Sequence, residues 1–297
     1  MKSLRNLLLA TLPFVLMAGH AYAAATGSSP EYPEGNTLGL PTGALPPPGV
    51  YITFKPSYAQ SRSTNAAGHF TGAHAEVFGA TGSIAYIPGI KILGANYGMF
   101  IRSIGSLNVS LTTPPKAGSK TFNRVGLVDT EFVPVSLSWP LGHHLFVNGE
   151  FGFYPPDGQY SKTAVVNNGQ NHWTIEPDAS ISYLPPGYQF TIHGTIDKNF
   201  ENPHTHYTNG DTVDFDFTAM KLFGRFGFGP VSYYYKQITA DQGPQNLNGG
   251  SPMALAFGAD ASFQGKGYRI NAFFTHDVVY RNVGDVGKIV VSFIVPL

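Results

Sequence analysis

The chain has 297 residues, with 18 basic and 18 acidic side chains and no cysteine. That excludes a disulfide framework and a thiolate centre, and leaves no electrostatic case for nucleic acid. Charged residues make up 12% against about 25% in an ordinary soluble domain, so much of the surface is expected to face something other than water.

Lys2 and Arg5 precede an apolar stretch from Leu7 to Ala18, and Ala21-Tyr22-Ala23 is a small-x-small cleavage pattern. Residues 1–23 are therefore read as an export signal cleaved after Ala23. The apolar run is short of the roughly 20 residues that a spanning helix needs. Residues 24–48 are rich in Pro, Gly and Ser and lead into Leu45-Pro46-Pro47-Pro48-Gly49. Proline has no amide proton for a ladder, so this segment is either a periplasmic tail or a plug of a lumen, with a stiff polyproline lead.

From residue 49 onward, polar loops of about ten to seventeen residues take turns with tight turns, the asymmetry of an outer-membrane barrel. The tight turns are Pro88-Gly89-Ile90, Pro140-Leu141-Gly142, Leu184-Pro185-Pro186-Gly187, Phe223-Gly224-Arg225 and Gln264-Gly265-Lys266-Gly267. The pattern predicts an all-β fold over 49–297: an antiparallel transmembrane β-barrel of about 12 strands with short periplasmic turns and long extracellular loops, the first loop included. The predicted strands are 49–63, 76–87, 91–111, 127–139, 144–154, 172–184, 188–199, 212–223, 225–239, 252–263, 268–281 and 288–297.

Each strand should be apolar towards lipid and polar towards the lumen, because charge on the lipid face costs about 2–4 kcal/mol near the midplane. Ile175, Ala179, Ile181 and Tyr183 oppose Glu176, Asp178, Ser180 and Ser182; Val213, Phe215 and Phe217 oppose Asp214 and Asp216. Arg102 falls opposite Tyr97, Met99 and Ile101 and so points inward. Lys221 breaks the parity beside a short turn, where the cost is small. His276 breaks it as well, which a bulge would explain. Trp139, Tyr51, Tyr86, Tyr183, Tyr188 and Tyr268 are placed at the periplasmic interface, and Trp173, Tyr154, Tyr235 and Tyr280 at the outer one. The chain ends inside a strand, with Leu297 where such barrels usually carry an aromatic.

The lumen candidates are Arg102, Glu150, Glu176, Asp178, Asp197, Asp214, Asp216 and Lys236, with Lys55 and Arg269 as further cations. They form either a transport path or an ion-pair network that fills a narrow barrel, because isolated buried carboxylates are costly. Outer-membrane phospholipases use a lipid-side His with Ser and Asn; His276 lacks a Ser two residues on. His204 and His206 make an H-x-H pair in a loop, a weak metal signal. No catalytic residue, metal or cofactor is expected.

Longer stretches carry a resemblance: Leu45-Pro46-Pro47-Pro48-Gly49-Val50-Tyr51, Val135-Ser136-Leu137-Ser138-Trp139, Phe151-Gly152-Phe153-Tyr154-Pro155-Pro156-Asp157-Gly158-Gln159-Tyr160, Asn171-His172-Trp173-Thr174-Ile175-Glu176-Pro177, Ser182-Tyr183-Leu184-Pro185, Phe200-Glu201-Asn202-Pro203 with Gly210-Asp211, and Gly229-Pro230-Val231-Ser232-Tyr233-Tyr234-Tyr235-Lys236-Gln237-Ile238-Thr239. With these the chain resembles a bacterial outer-membrane family named after the meta pathway of phenol degradation. The resemblance implies a transporter or channel of the outer membrane, and carries no binding residues with it. The expected function is passive uptake of small hydrophobic or aromatic solutes. The alternatives are an outer-membrane phospholipase or esterase, or a structural barrel whose loops bind a partner. The expected partners are outer-membrane lipids, those solutes and the barrel-assembly machinery.

Overall fold

The computed structural model describes residues 31–64, 69–114, 118–243 and 251–297; the predicted export signal lies outside them, as do residues 24–30. Sixteen strands follow in chain order: β1 (Gly49–Thr64), β2 (Phe70–Ile87), β3 (Lys91–Ile92), β4 (Ala95–Thr112), β5 (Thr121–Leu127), β6 (Glu131–Gly142), β7 (Leu145–Tyr154), β8 (Thr174–Tyr183), β9 (Tyr188–Asn199), β10 (Glu201–Asn202), β11 (Tyr207–Thr208), β12 (Thr212–Phe223), β13 (Phe226–Gln237), β14 (Met253–Gln264), β15 (Arg269–Arg281) and β16 (Gly284–Pro296).

They close into a 12-strand antiparallel barrel. β1 pairs with β2 on one side and with β16 on the other, Tyr51 opposite Pro296 and Ser63 opposite Gly284. Closure pairs the strands of the ring on both sides, the condition for a sheet to stand in lipid. β3 adds only a small hairpin to the foot of β4, and β10 with β11 is a ladder in an outer loop. β5 and β6 share one place in the wall: β4 pairs with β6 over Asn96–Arg102 and with β5 over Ser106–Thr112.

Four of the five tight turns stand where the Pro/Gly signals placed them; Pro140, Leu141 and Gly142 instead extend β6, so that turn moves to His143-His144, and a further turn at Leu93-Gly94 breaks the expected strand 91–111 into β3 and β4. His143 and His144 both have positive φ, 48° and 64°, the two-residue type I′ geometry that matches strand twist. Trp139 donates its indole N–H to Leu93 O at 3.1 Å, anchoring the aromatic at that rim. Outward residues such as Ile181 and Phe190 are half exposed, whereas inward Glu176, Ser182 and Thr174 are fully buried. The barrel is thus apolar outside and polar inside.

Three expected boundaries change. β2 begins at Phe70, so the first outer connection is 65–69 and not a long loop; residues 121–126, read as loop, form β5 together with Leu127, read as the start of the next strand; and β16 begins at Gly284. One physical cause links them. In the upper parts of β1, β2 and β4 the polarity reverses: Arg62, His74, Glu76 and Asn108 face outward, while Ala59, Ala75, Val77, Leu107, Val109 and Leu111 pack inside. A polar outer face is stable only in water, so these strands rise beyond the apolar band of the bilayer. A pattern sought as apolar-out cannot find them.

Candidate functional site

Alternation places the acidic side chains on one wall. Arg102, on β4, holds the centre: Nη1 donates to Glu131 Oε1 at 2.9 Å and lies 3.7 Å from Asp178 Oδ2, and Nη2 pairs with Glu150. Glu150 also accepts from Ser136 Oγ at 2.9 Å and Asn148 Nδ2 at 2.8 Å. Glu176, Asp178, Asp197, Asp214 and Asp216 are buried on the inner faces of β8, β9 and β12. Seven of the eight predicted lumen residues therefore point inward.

Lys236 does not. The inner face of β13 carries Val231, Tyr233, Tyr235 and Gln237, which leaves Lys236 on the exposed parity at the outer end of the strand. There its long stem reaches water, and the lipid-face cost falls to about 0–1 kcal/mol.

Residues 31–48 run through the ring, and the wall supplies the partners that a strand would have given their backbone. Asp216 accepts from Thr37 N at 2.8 Å and Thr37 Oγ1 at 2.6 Å, and Asp197 from Tyr32 N at 3.3 Å. Gly39 N donates to Thr218 Oγ1 at 2.9 Å, and Gly39 O accepts from Gln189 at 3.0 Å and Arg269 at 2.8 Å. Gly43 N donates to Ser182 Oγ at 2.9 Å and its carbonyl accepts from Ser138 Oγ at 2.7 Å. Glycine is required at this approach: a Cβ on Gly43 would stand 2.5 Å from Ser182 N.

Two chambers among the described residues lie on the side of β1, β2 and β4. The outer one, of 120 Å³, has an apolar side of Ala59, Val77, Leu107 and Val286 and a polar side that includes Glu31, Glu34, Asp129 and Lys288. The inner one, of 550 Å³, is lined by Leu40, Tyr51, Phe100, Arg102, Tyr268 and Arg269 and reaches the periplasmic rim at Pro296. Asn36, Lys55, Thr81 and Ser103 border both. Across that constriction Lys55 Nζ donates to Asn36 O at 2.8 Å and to Asn36 Oδ1 at 2.6 Å. Of the predicted residues, Arg102, Glu150 and the cations Lys55 and Arg269 border a chamber; Asp197 and Asp216 hold the segment instead.

Sequence reasoning missed Glu131 and Ser103, for the same reason. Both lie beside irregularities that switch parity: β6 loses register with β7 between Phe132 and Val135, and Ser103 has φ 58° where β4 slips against β2. A bulge re-aims every residue beyond it. Pro134 is the one visible signal, since proline inside a strand marks such a position.

Above the barrel, the loop over 155–173 is tied down by buried groups. Asp129 Oδ1 accepts from Gly158 N at 2.7 Å and Oδ2 from Gln170 N at 2.5 Å. His172 Nδ1 meets Trp173 O at 3.1 Å, and Asn209 Nδ2 donates to Nε2 at 3.1 Å, which makes His172 the Nδ1–H tautomer. Burial lowers its pKa from 6.5 to about 4. A released loop binds the proton near 6.5 and the docked loop only near 4, so docking is favoured above that window and weakens as pH falls through it. Limited proteolysis of the loop is expected to accelerate on acidification from pH 6.5 to 4, and His172→Gln should flatten the response.

A closed antiparallel barrel of this strand number, apolar outside and polar inside, has the fold of an outer-membrane β-barrel. The chain belongs to the family described as "Putative MetA-pathway of phenol degradation", whose model matches residues 53–285. In fold it is similar to an outer membrane channel from Pseudomonas putida F1, with a TM-score of 0.72 at 11% identity over 90% of this chain and all of that one. Weaker likenesses include the toluene transporter TbuX of Ralstonia pickettii, TM-score 0.47 at 11% identity over 96% of this chain and 100% of that one. The β-domain of the Bordetella autotransporter BrkA gives 0.48 at 12% over 84% and 99%. No curated protein matches the chain.

Proposed function

We propose that the protein is a passive channel for small hydrophobic or aromatic solutes, with residues 31–48 as its gate. The observation that carries this reading is the pair of chambers on one wall, separated by the Lys55–Asn36 contact. A solute enters the outer chamber from the extracellular side and lies against its apolar side of Ala59, Val77, Leu107 and Val286. At 120 Å³ the chamber is close in size to the ~150 Å³ apolar cavity that takes up benzene. Passage requires Lys55 to release Asn36, after which the inner chamber leads to the periplasmic rim.

Single-channel recording of the mature protein in a planar bilayer tests this. A small steady current, reduced by phenol or benzoate, is the expected result, and Lys55→Ala should raise the current severalfold by removing both bonds to Asn36. A folded barrel that passes neither ions nor aromatics, with or without Lys55, would overturn the reading.

One observation bears on a hydrolase. His276 does face outward, and its Nδ1 lies 3.2 Å from Asp285 Oδ1. Asp285 is shared with Arg62, however, and no hydroxyl is hydrogen-bonded to His276 among the described residues. The group reads as an ion-pair cluster at the water-facing rim, where β1, β15 and β16 rise beyond the bilayer.

A further inference from the structure

We propose that the acidic wall binds a hard divalent cation, calcium or magnesium, through Glu131, Glu176 and Asp178. These residues come from β6 and β8, and one carboxylate oxygen of each lies within 4.8 Å of the other two. Oxygens sharing a calcium ion at about 2.3–2.6 Å, or a magnesium ion at about 2.0–2.1 Å, are separated by distances of this order. The set is all oxygen, which selects hard cations over zinc or copper.

With all of its carboxyls ionised, the cluster is not satisfied by the protein alone. Arg102 engages Glu131 through Oε1, while Glu131 Oε2, both oxygens of Glu176 and both of Asp178 are buried without a hydrogen-bond partner. A separate residue points the same way. His193, on β9, is 2% exposed, and neither of its ring nitrogens has a hydrogen-bond partner. Its Nε2 faces the cluster, 4.0 Å from Asp178 Oδ2. Tyr154 adds a buried hydroxyl without a partner on the same inner face, one inward position above Gly152, which stands opposite Glu176.

The charge balance supplies the reason. One guanidinium faces Glu131, Glu150 and Asp178, and Glu176 stands beside them. Burial makes such an excess expensive, so protons or a metal ion must offset it. A cation would also tie β6 to β8 across β7 and stiffen the wall on which residues 31–48 rest. This role is independent of transport.

The test uses the mature protein in detergent, stripped with chelator and then titrated with calcium or magnesium chloride. Calorimetry is expected to show one binding event per chain, and the thermal unfolding midpoint should climb with cation concentration, since a ligand that binds only the folded state stabilises it. Glu176→Gln and Asp178→Asn should each abolish both signals, while Glu201→Gln, in an outer loop, should keep them. Absence of heat and of any midpoint shift in the unaltered protein would overturn the proposal and leave protons as the neutralising species. A shift that survives both Glu176→Gln and Asp178→Asn would overturn it equally, by placing the cation elsewhere.

Discussion

Deletion of residues 24–48, with the export signal retained, is expected to convert a nearly closed barrel into a freely conducting one. Conductance should rise by about tenfold or more, because a ring of this strand number lies between the eight-strand barrels that side chains fill and the sixteen-strand barrels that leave an aqueous channel. The wall side chains that now bond the segment, among them Asp216, Ser182, Ser138 and Gln189, would then face water. Water satisfies them, so the barrel should still fold and run as a heat-modifiable band. An unchanged closed pore in the folded deletion variant would show that residues 31–48 are not the barrier. Lys55→Ala is the graded version of the experiment, since it removes one fastening and leaves the segment in place.

The second large effect is on stability. Arg102→Ala removes the one cation that contacts Glu131, Glu150 and Asp178 together. Breaking a buried ion pair from one side costs about 3–5 kcal/mol, because the remaining charge is left without compensation. An exposed pair would cost only about 0–1 kcal/mol. Urea unfolding in micelles separates the two cases, and the larger loss is expected because the Arg102 side chain is 17% exposed and its three partners 4% or less. Combining Arg102→Met with Glu131→Gln and Glu150→Gln should recover most of the loss, since it removes the stranded charges together. A cost near the lower figure would mean that water reaches this wall freely.

The two experiments probe opposite sides of one lumen. The side of β1, β2 and β4 carries the chambers and the Lys55–Asn36 fastening, while the side of β6 to β12 carries the carboxylates that hold the segment. Transport should respond to changes on the first side, and folding to changes on the second. Arg102 and Glu150 belong to both, since they stand in the acidic cluster and border the inner chamber.

The sequence alone determined whatever depends on neighbours along the chain. Alternation of period two defined most of the strands, Pro/Gly chemistry defined most of the tight turns, and together they led to a closed barrel with Arg102, Glu150, Glu176, Asp178, Asp197, Asp214 and Asp216 pointing inward. Tertiary structure decided whatever depends on the surroundings of each face. Whether an apolar parity means outside or inside depends on whether lipid or water lies against that height of the wall, which is why the first outer connection and β5 were misread. Bulges at Ser103 and Pro134 reversed parity part-way along a strand and hid Glu131, and inward tyrosines turned Lys236 outward. The path of residues 31–48 was open between tail and plug because a segment without a ladder has no local signal of where it lies. Its position comes mostly from hydrogen bonds to side chains 95 or more residues away, and a pattern read along the chain cannot register them.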